Sequence, residues 1–147
     1  MEAIEELNAR LLGSYLSRFS VGDTWELRFN DLWISAQNIV SADEKFLNDF
    51  LRENYQPFQA TVDQDDISKC AIVATCMQKT VIGLRLGDSC NLTIDFEDNR
   101  QLVLTTNTSI VDWQWSLSEN GSIPYADYIV ACFWEGEIKV NKDKIKK

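Results

Sequence analysis

Hydrophobic residues recur every three or four positions at the start of this chain and every second position soon after. Ile4, Leu7 and Leu11 form one stripe of a helix predicted over residues 2–12. Glu2, Glu5 and Glu6 gather near its start, where the helix dipole favours negative charge, and Gly13 stands at the expected C′ stop. The period then becomes two. Tyr15, Ser17, Phe19 and Val21 alternate with Leu16, Arg18 and Ser20; Gly22–Asp23 turns the chain; Trp25, Leu27 and Phe29 alternate with Glu26 and Arg28. A second turn at Asn30–Asp31 leads to a third strand carrying Leu32, Ile34 and Ala36.

Residues 41–54 predict a second helix. Ser41 and Glu44 have capping-box spacing, Phe46, Leu47, Phe50 and Leu51 make the face expected to be buried, and Pro57 forbids continuation. An acidic loop over 62–68 ends in an N-cap at Asp65 or Asp66. Ile67, Cys70, Ala71, Ala74 and Met77 then match helical spacing, and Ile72, Val73 and Cys76 make that helix apolar nearly all round, hence deep; its β-branched residues also allow a strand.

The opening pattern then returns. Ile82, Leu84 and Leu86 alternate, Gly87–Ser89 turns, Leu92, Ile94 and Phe96 alternate, Asp98–Asn99 turns, and Leu102 and Leu104 follow. Residues 19–24 match 84–89 position for position, and Leu27 matches Leu92. With a two-residue insertion, Phe29 matches Phe96 and Asp31 matches Asp98. Each unit has a sheet with one apolar face that must be covered by a helix or by the other sheet. In the last segment Trp113, Trp115 and Leu117 share one strand face and Asp112, Gln114 and Ser116 the other; Asn120–Gly121 is a turn signal. A helix over 125–134 is preferred, capped by Ser122 and ended by Gly136, although the apolar run 128–134 also reads as a buried strand; Ile138 and Val140 begin a final strand. The expected fold is therefore α+β, antiparallel sheets with helices packed on them. It forms a single domain over 1–147, with pseudo-repeats at about 1–40 and 66–107 and a basic tail at 139–147.

Charge sharpens this picture. The net charge is −9, but the tail holds five of the 14 basic residues and one of the 23 acidic ones, so residues 1–138 carry 9 basic against 22 acidic residues, a net of −13. Such a body repels nucleic acid and anionic lipid and attracts a basic partner; solubility alone is the plainer account. The tail has neither aromatics to stack on bases nor apolar residues to dock, and reads as a frayed end. The acidic start lacks a signal peptide's basic and apolar regions, and no apolar run is of membrane-spanning length, so a cytoplasmic location is expected.

Candidate chemistry is sparse. There is no histidine, no Cys-x-x-Cys pair and no phosphate-binding glycine loop, so no catalytic residue, cofactor or metal is expected. Cys70, Cys76, Cys90 and Cys132 read as reduced, mostly buried thiols. Asp63, Asp65 and Asp66 could share a proton or hold a cation, but the EF-hand spacing fails, and a solvated turn with a helix cap accounts for them. Asp95, Glu97 and Asp98 lie on a polar strand face and its turn: an anionic strip for a cationic partner, or a solvated face that blocks edge aggregation. Trp25 reads as core, and Trp33, out of phase with Leu32 and Ile34, as exposed. Trp113 and Trp115 beside Asp112 have the composition of a protein-binding hot spot.

A helix ending in "LLG" followed by "SYLSRFSVGDTWELRFND", and again "NLTIDFEDNRQLVLTTNTSIVDWQW", resembles small β-rich bacterial proteins with L-x-L-x-F-x-D/N hairpins. Such proteins are common among immunity proteins of polymorphic toxin systems, including contact-dependent growth inhibition. The resemblance implies a cytoplasmic, non-enzymatic inhibitor that binds the C-terminal domain of a cognate toxin. Many such toxins are basic nucleases, and the inhibitor would block the active site or substrate surface. It assigns no residue by position. The expected partner-binding residues are therefore those read from the chain itself: Asp63, Asp65, Asp66, Asp95, Glu97, Asp98, Asp112, Trp113 and Trp115. No direct contact with nucleic acid or membrane is expected. The alternative is a structural or adaptor module of a cytoplasmic complex.

Overall fold

The computed structural model describes residues 2–119 and 122–145. The opening stripe folds as expected. Helix α1 (Glu2–Leu11) buries Ala3, Leu7 and Leu11, and Glu6 and Arg10 pair one turn apart. Gly13 adopts φ +84°, which glycine reaches without steric penalty, and its N–H donates to Val81 O at 3.0 Å. Strands β1 (Arg18–Val21), β2 (Trp25–Phe29) and β3 (Leu32–Ala36) form an antiparallel meander, with Trp25, Leu27, Phe29, Ile34 and Ala36 buried. The first strand is shorter than its alternation predicts. Before Arg18 the inward residue is Leu16, fully buried, while Tyr15 is half-exposed, because Leu16 and Tyr15 bridge instead to Met77 and Thr80.

The short strand β4 (Ile39–Val40) leads into helices α2 (Glu44–Asn54), α3 (Gln56–Gln59) and α4 (Gln64–Thr75). Half of the capping box forms: Ser41 N–H donates to the Glu44 carboxylate at 2.9 Å, while Ser41 Oγ accepts from Asp43 N–H. The expected buried face of α2 is not buried. Leu47 and Leu51 are half-buried, but Phe46 is 73% and Phe50 50% exposed. The stripe is wider than the surface available: α2 packs on α4 through Glu44 and Asn48, and the phenylalanines lie on its far side. Helix α4 starts earlier than expected, with Asp63 at its N-cap position. Nor is it deep all round. Ser68, Ile72, Val73 and Cys76 are buried, but Ala71 and Ala74 face out, because only one side of the helix meets the body.

Strands β5 (Val81–Leu86), β6 (Leu92–Phe96) and β7 (Arg100–Leu104) make the second meander. A bulge between Val81 and Gly83 shifts the phase, so Val81 and Leu84 point inward and Ile82, expected inside, is 62% exposed. Asp98 and Asn99 turn the chain at φ 62° and 60°. The two meanders lie in different sheets. One sheet has the order β4-β7-β6-β5; the other is β1-β2-β3-β8-β9-β10, completed by β8 (Trp113–Glu119), β9 (Tyr128–Phe133) and β10 (Glu137–Val140). Their apolar faces meet: Phe29 and Phe96, matched positions of the repeat, stack at 6.4 Å, and one hydrophobic cluster gathers residues from both sheets, α1 and α4. The repeated sheets thus cover each other. Their registers correct the alignment. Phe19 pairs Leu27 and Leu84 pairs Ile94, so Leu27 corresponds to Ile94 and Trp25 to Leu92; the two extra residues lie in the hairpin loop, not the strand.

The preferred helix over 125–134 does not form. Residues 128–133 are β9, a strand between β8 and β10, with Ile129 to Phe133 buried. An apolar run without alternation suits a helix or a strand buried on both faces, and pairing with two neighbours decides it. Strand β8 is also buried on both faces: Trp115 and Leu117 enter the core, while Gln114, Ser116 and Ser118 are buried on the outer face. There Ser122 and Pro124 line a hollow with Trp33, Ser35 and Ser118, so Trp33 is only half-buried, with the Arg28 guanidinium 5.5 Å from its ring. The Asn120–Gly121 turn lies outside the described residues. The basic tail is docked rather than frayed as far as Ile145: β10 pairs with β9, and in α5 (Lys142–Ile145) Lys144 Nζ donates to Asp127 O at 2.9 Å while Arg10 donates to Lys144 O at 3.0 Å. Lys146 and Lys147 lie outside the described residues. Among the described residues no helix is long and apolar enough to cross a membrane.

Candidate partner-binding surface

The sequence-derived residues fall on three elements: the start of α4, strand β6 with its turn, and the approach to β8. At the first, Asp63, Asp65 and Asp66 are exposed around an open hollow of about 400 Å³ shared with Val62 and Gln64, and Val62 is 95% exposed. Asp65 accepts from Asn48 Nδ2 at 3.3 Å, and Asn48 also accepts from Ser68, which fastens α4 to α2. Among the described residues no group of three His, Cys, Asp or Glu side chains could hold a metal.

The β6 acids are engaged within the protein. Asp95 takes a two-pronged contact from Arg85 at 3.1 Å and a hydrogen bond from Gln101 at 2.8 Å. Burial raises the Asp95 pKa, but those hydrogen bonds and the Arg85 charge outweigh it and hold the carboxyl below its ordinary value. Asp98 is held low by its hydrogen bond and ion pair with Lys79, at 2.6 Å. Glu97 accepts from Thr80 N–H at 3.0 Å, and its own N–H donates to Thr80 O at 2.9 Å. A partner would have to compete with these bonds, which weakens the case for this strip.

At the approach to β8 the expected aromatic pair splits. Trp115 is fully buried, and its indole N–H donates to Cys90 O at 3.0 Å; it is core and unavailable to a partner. A bulge between Trp113 and Trp115 puts the two out of step, leaving Trp113 half-buried beside exposed Asp112. Gln114 fixes this approach. Its amide accepts from Thr108 N–H at 2.9 Å and donates to the carbonyls of Thr108 and Val111 at 3.0 and 3.1 Å.

Sequence reasoning missed the aromatic surface that does face solvent. Phe46 and Phe50 stack at 6.3 Å on the open side of α2, and Tyr55 at its end is 53% exposed. Residues 41–66, which hold this surface and the start of α4, contain seven acidic and two basic residues, a net of −5 against −9 for the whole chain. Both cations, Lys45 and Arg52, are already paired with Asp49. No cation among the described residues pairs with Asp43, Glu53, Asp63, Asp65 or Asp66. The available signal was a four-residue apolar stripe interleaved with Asp43, Asp49 and Glu53, broader and more acidic-edged than a helix on a small body buries.

Three of the four thiols, Cys70, Cys76 and Cys132, are poorly suited to nucleophilic work. Burial, and then the neighbouring Cys90, push Cys132 up to about 12, and burial raises Cys76 and Cys70. All four cysteines are free. Compared with models of protein families, with curated proteins and with solved structures, the chain matches none, so its functional reading rests on this geometry.

Proposed function

We propose that this chain is a cytoplasmic, non-enzymatic immunity protein that neutralises a cognate toxin domain, a basic nuclease, by binding over its substrate surface. The observation that carries the reading is the stacked Phe46–Phe50 pair, exposed in an acidic stretch of the chain. The carboxylates of Asp43 and Glu53, which flank the rings along α2, would stand in for substrate phosphates against a cationic groove, and the two rings supply the anchor that excludes water. The acidic body steers encounter at long range, so association slows as salt is added.

The test is co-expression with the C-terminal toxin domain encoded beside this gene. Cells survive and the two chains co-purify; Phe46→Ala with Phe50→Ala abolishes both. Failure of the intact chain to protect refutes the inhibitor role, and protection by the double variant refutes this surface.

A further inference from the structure

We propose a second, separate site: the cleft between Trp113, Tyr125 and Phe133 binds an organic cation, an alkylammonium or guanidinium group. The cleft holds about 390 Å³, at the small end of ligand pockets, and is walled by three aromatic side chains, Val111 and Asp112. The rings come from three places in the chain. Trp113 begins β8, Phe133 ends β9 directly opposite it in register, and Tyr125 arrives from the connection between those strands. Phe133 is 8% exposed, and Tyr128 packs edge-on against it at 5.8 Å; Tyr125 is 58% exposed and forms the open wall.

Aromatic faces carry negative electrostatic potential and attract cations. The Phe133 ring already shows the effect, since Lys139 Nζ, which does not line the cleft, lies 4.7 Å from its centroid. That ammonium is matched by Glu137 at 3.3 Å, so it does not cancel the remaining acid of the cleft. Asp112 is that acid. It is exposed, and no cation among the described residues pairs with its carboxylate. Its backbone is pinned, because its carbonyl accepts from Trp134 N–H at 2.5 Å and Gln114 braces the residues before it. The residue that carries the charge is therefore fixed beside the three aromatic side chains of this open cleft before any ligand arrives. An anion gains nothing here, and an uncharged ligand gains only apolar contact.

The site does not depend on the toxin reading, because its ligand can be a free small cation or a lysine or arginine side chain. The experiment follows the Trp113 indole N–H resonance of the ¹⁵N-labelled full chain, identified through Trp113→Phe, at constant ionic strength. Choline is titrated against 3,3-dimethylbutan-1-ol, its uncharged counterpart of the same shape. A saturable shift is expected, with choline bound roughly three- to thirty-fold more tightly than the alcohol. Tyr125→Leu and Asp112→Asn each weaken choline several-fold and leave the urea midpoint unchanged. Short lysine and arginine peptides form the second arm: tighter binding than choline assigns the site to a protein side chain, weaker binding to a free quaternary ammonium. Equal affinity for choline and the alcohol, no saturable shift, or indifference to Tyr125→Leu overturns the proposal.

Discussion

Phe46→Ala and Phe58→Ala remove the same group from helices close together in the chain, and the structure assigns them opposite consequences. Phe58 in α3 is fully buried, so its loss costs about 3–5 kcal/mol in transfer and cavity energy. Phe46 is 73% exposed, leaving about a quarter of it to contribute. Complete burial of a phenylalanine stabilises by roughly 1.5–3 kcal/mol, so that quarter is worth about 0.4–0.8 kcal/mol. Contact with the Phe50 ring adds about 0.5 kcal/mol, the low end for an aromatic pair given its exposure, and the better helix propensity of alanine returns a similar amount. The balance for Phe46→Ala is within about 1 kcal/mol of zero. For a chain of this size that moves the melting temperature by no more than about 4 °C, against about 6–20 °C for Phe58→Ala. Urea unfolding followed by tryptophan fluorescence measures both. A loss of about 3 kcal/mol on Phe46→Ala would show that the outer face of α2 is packed, and the reasoning behind the partner surface would fail. A variant that keeps its stability but loses partner affinity by roughly 30-fold or more, the signature of an interface anchor, is the expected result.

Gly136 adopts φ +80°, and a Cβ there would sit 2.7 Å from Ser89 O, so Gly136→Ala is expected to cost at least about 2 kcal/mol in denaturant melts. Gly22→Ala meets nothing within 4 Å and should stay within about 0.5 kcal/mol; similar losses for the two would refute the contact. Asp95, Asp98 and Asp49 titrate below their ordinary values when folded, so their contribution is present at neutral pH and is lost as the pH falls below about 4. The urea midpoint should hold steady from pH 7 to 5 and drop below that, with a shallower drop for Asp95→Asn; an unchanged acid limb in that variant rejects the Arg85–Asp95 account. The raised thiols of Cys132, Cys76 and Cys70 work in the other direction: stability is intact below about pH 8.5 and declines as the unfolded thiols ionise above it. Ellman's reagent at pH 8 should leave Cys76 and Cys132 unmodified until the chain unfolds, and rapid reaction of either in the native protein would contradict their burial.

Local pattern by itself determined α1, the β2–β3 and β6–β7 hairpins and the Asp98–Asn99 turn. Period-two alternation, helical spacing and left-handed turn residues express themselves within a few residues of where they are written. It also marked Asp63, Asp65, Asp66 and Asp112 as surface groups. Tertiary structure decided which apolar faces find a partner. Phe46 and Phe50 look like core, yet α4 covers only the leucine side of α2. Trp115 looks like Trp113, yet a bulge sends one inward and leaves the other at a cleft. Residues 128–133 have no period to read and become a strand because β8 and β10 pair with them. Tyr125 and Phe133 join Trp113 only through that pairing. An amino-acid pattern specifies which side of an element avoids water; the area available to cover that side is set by residues far away in the chain.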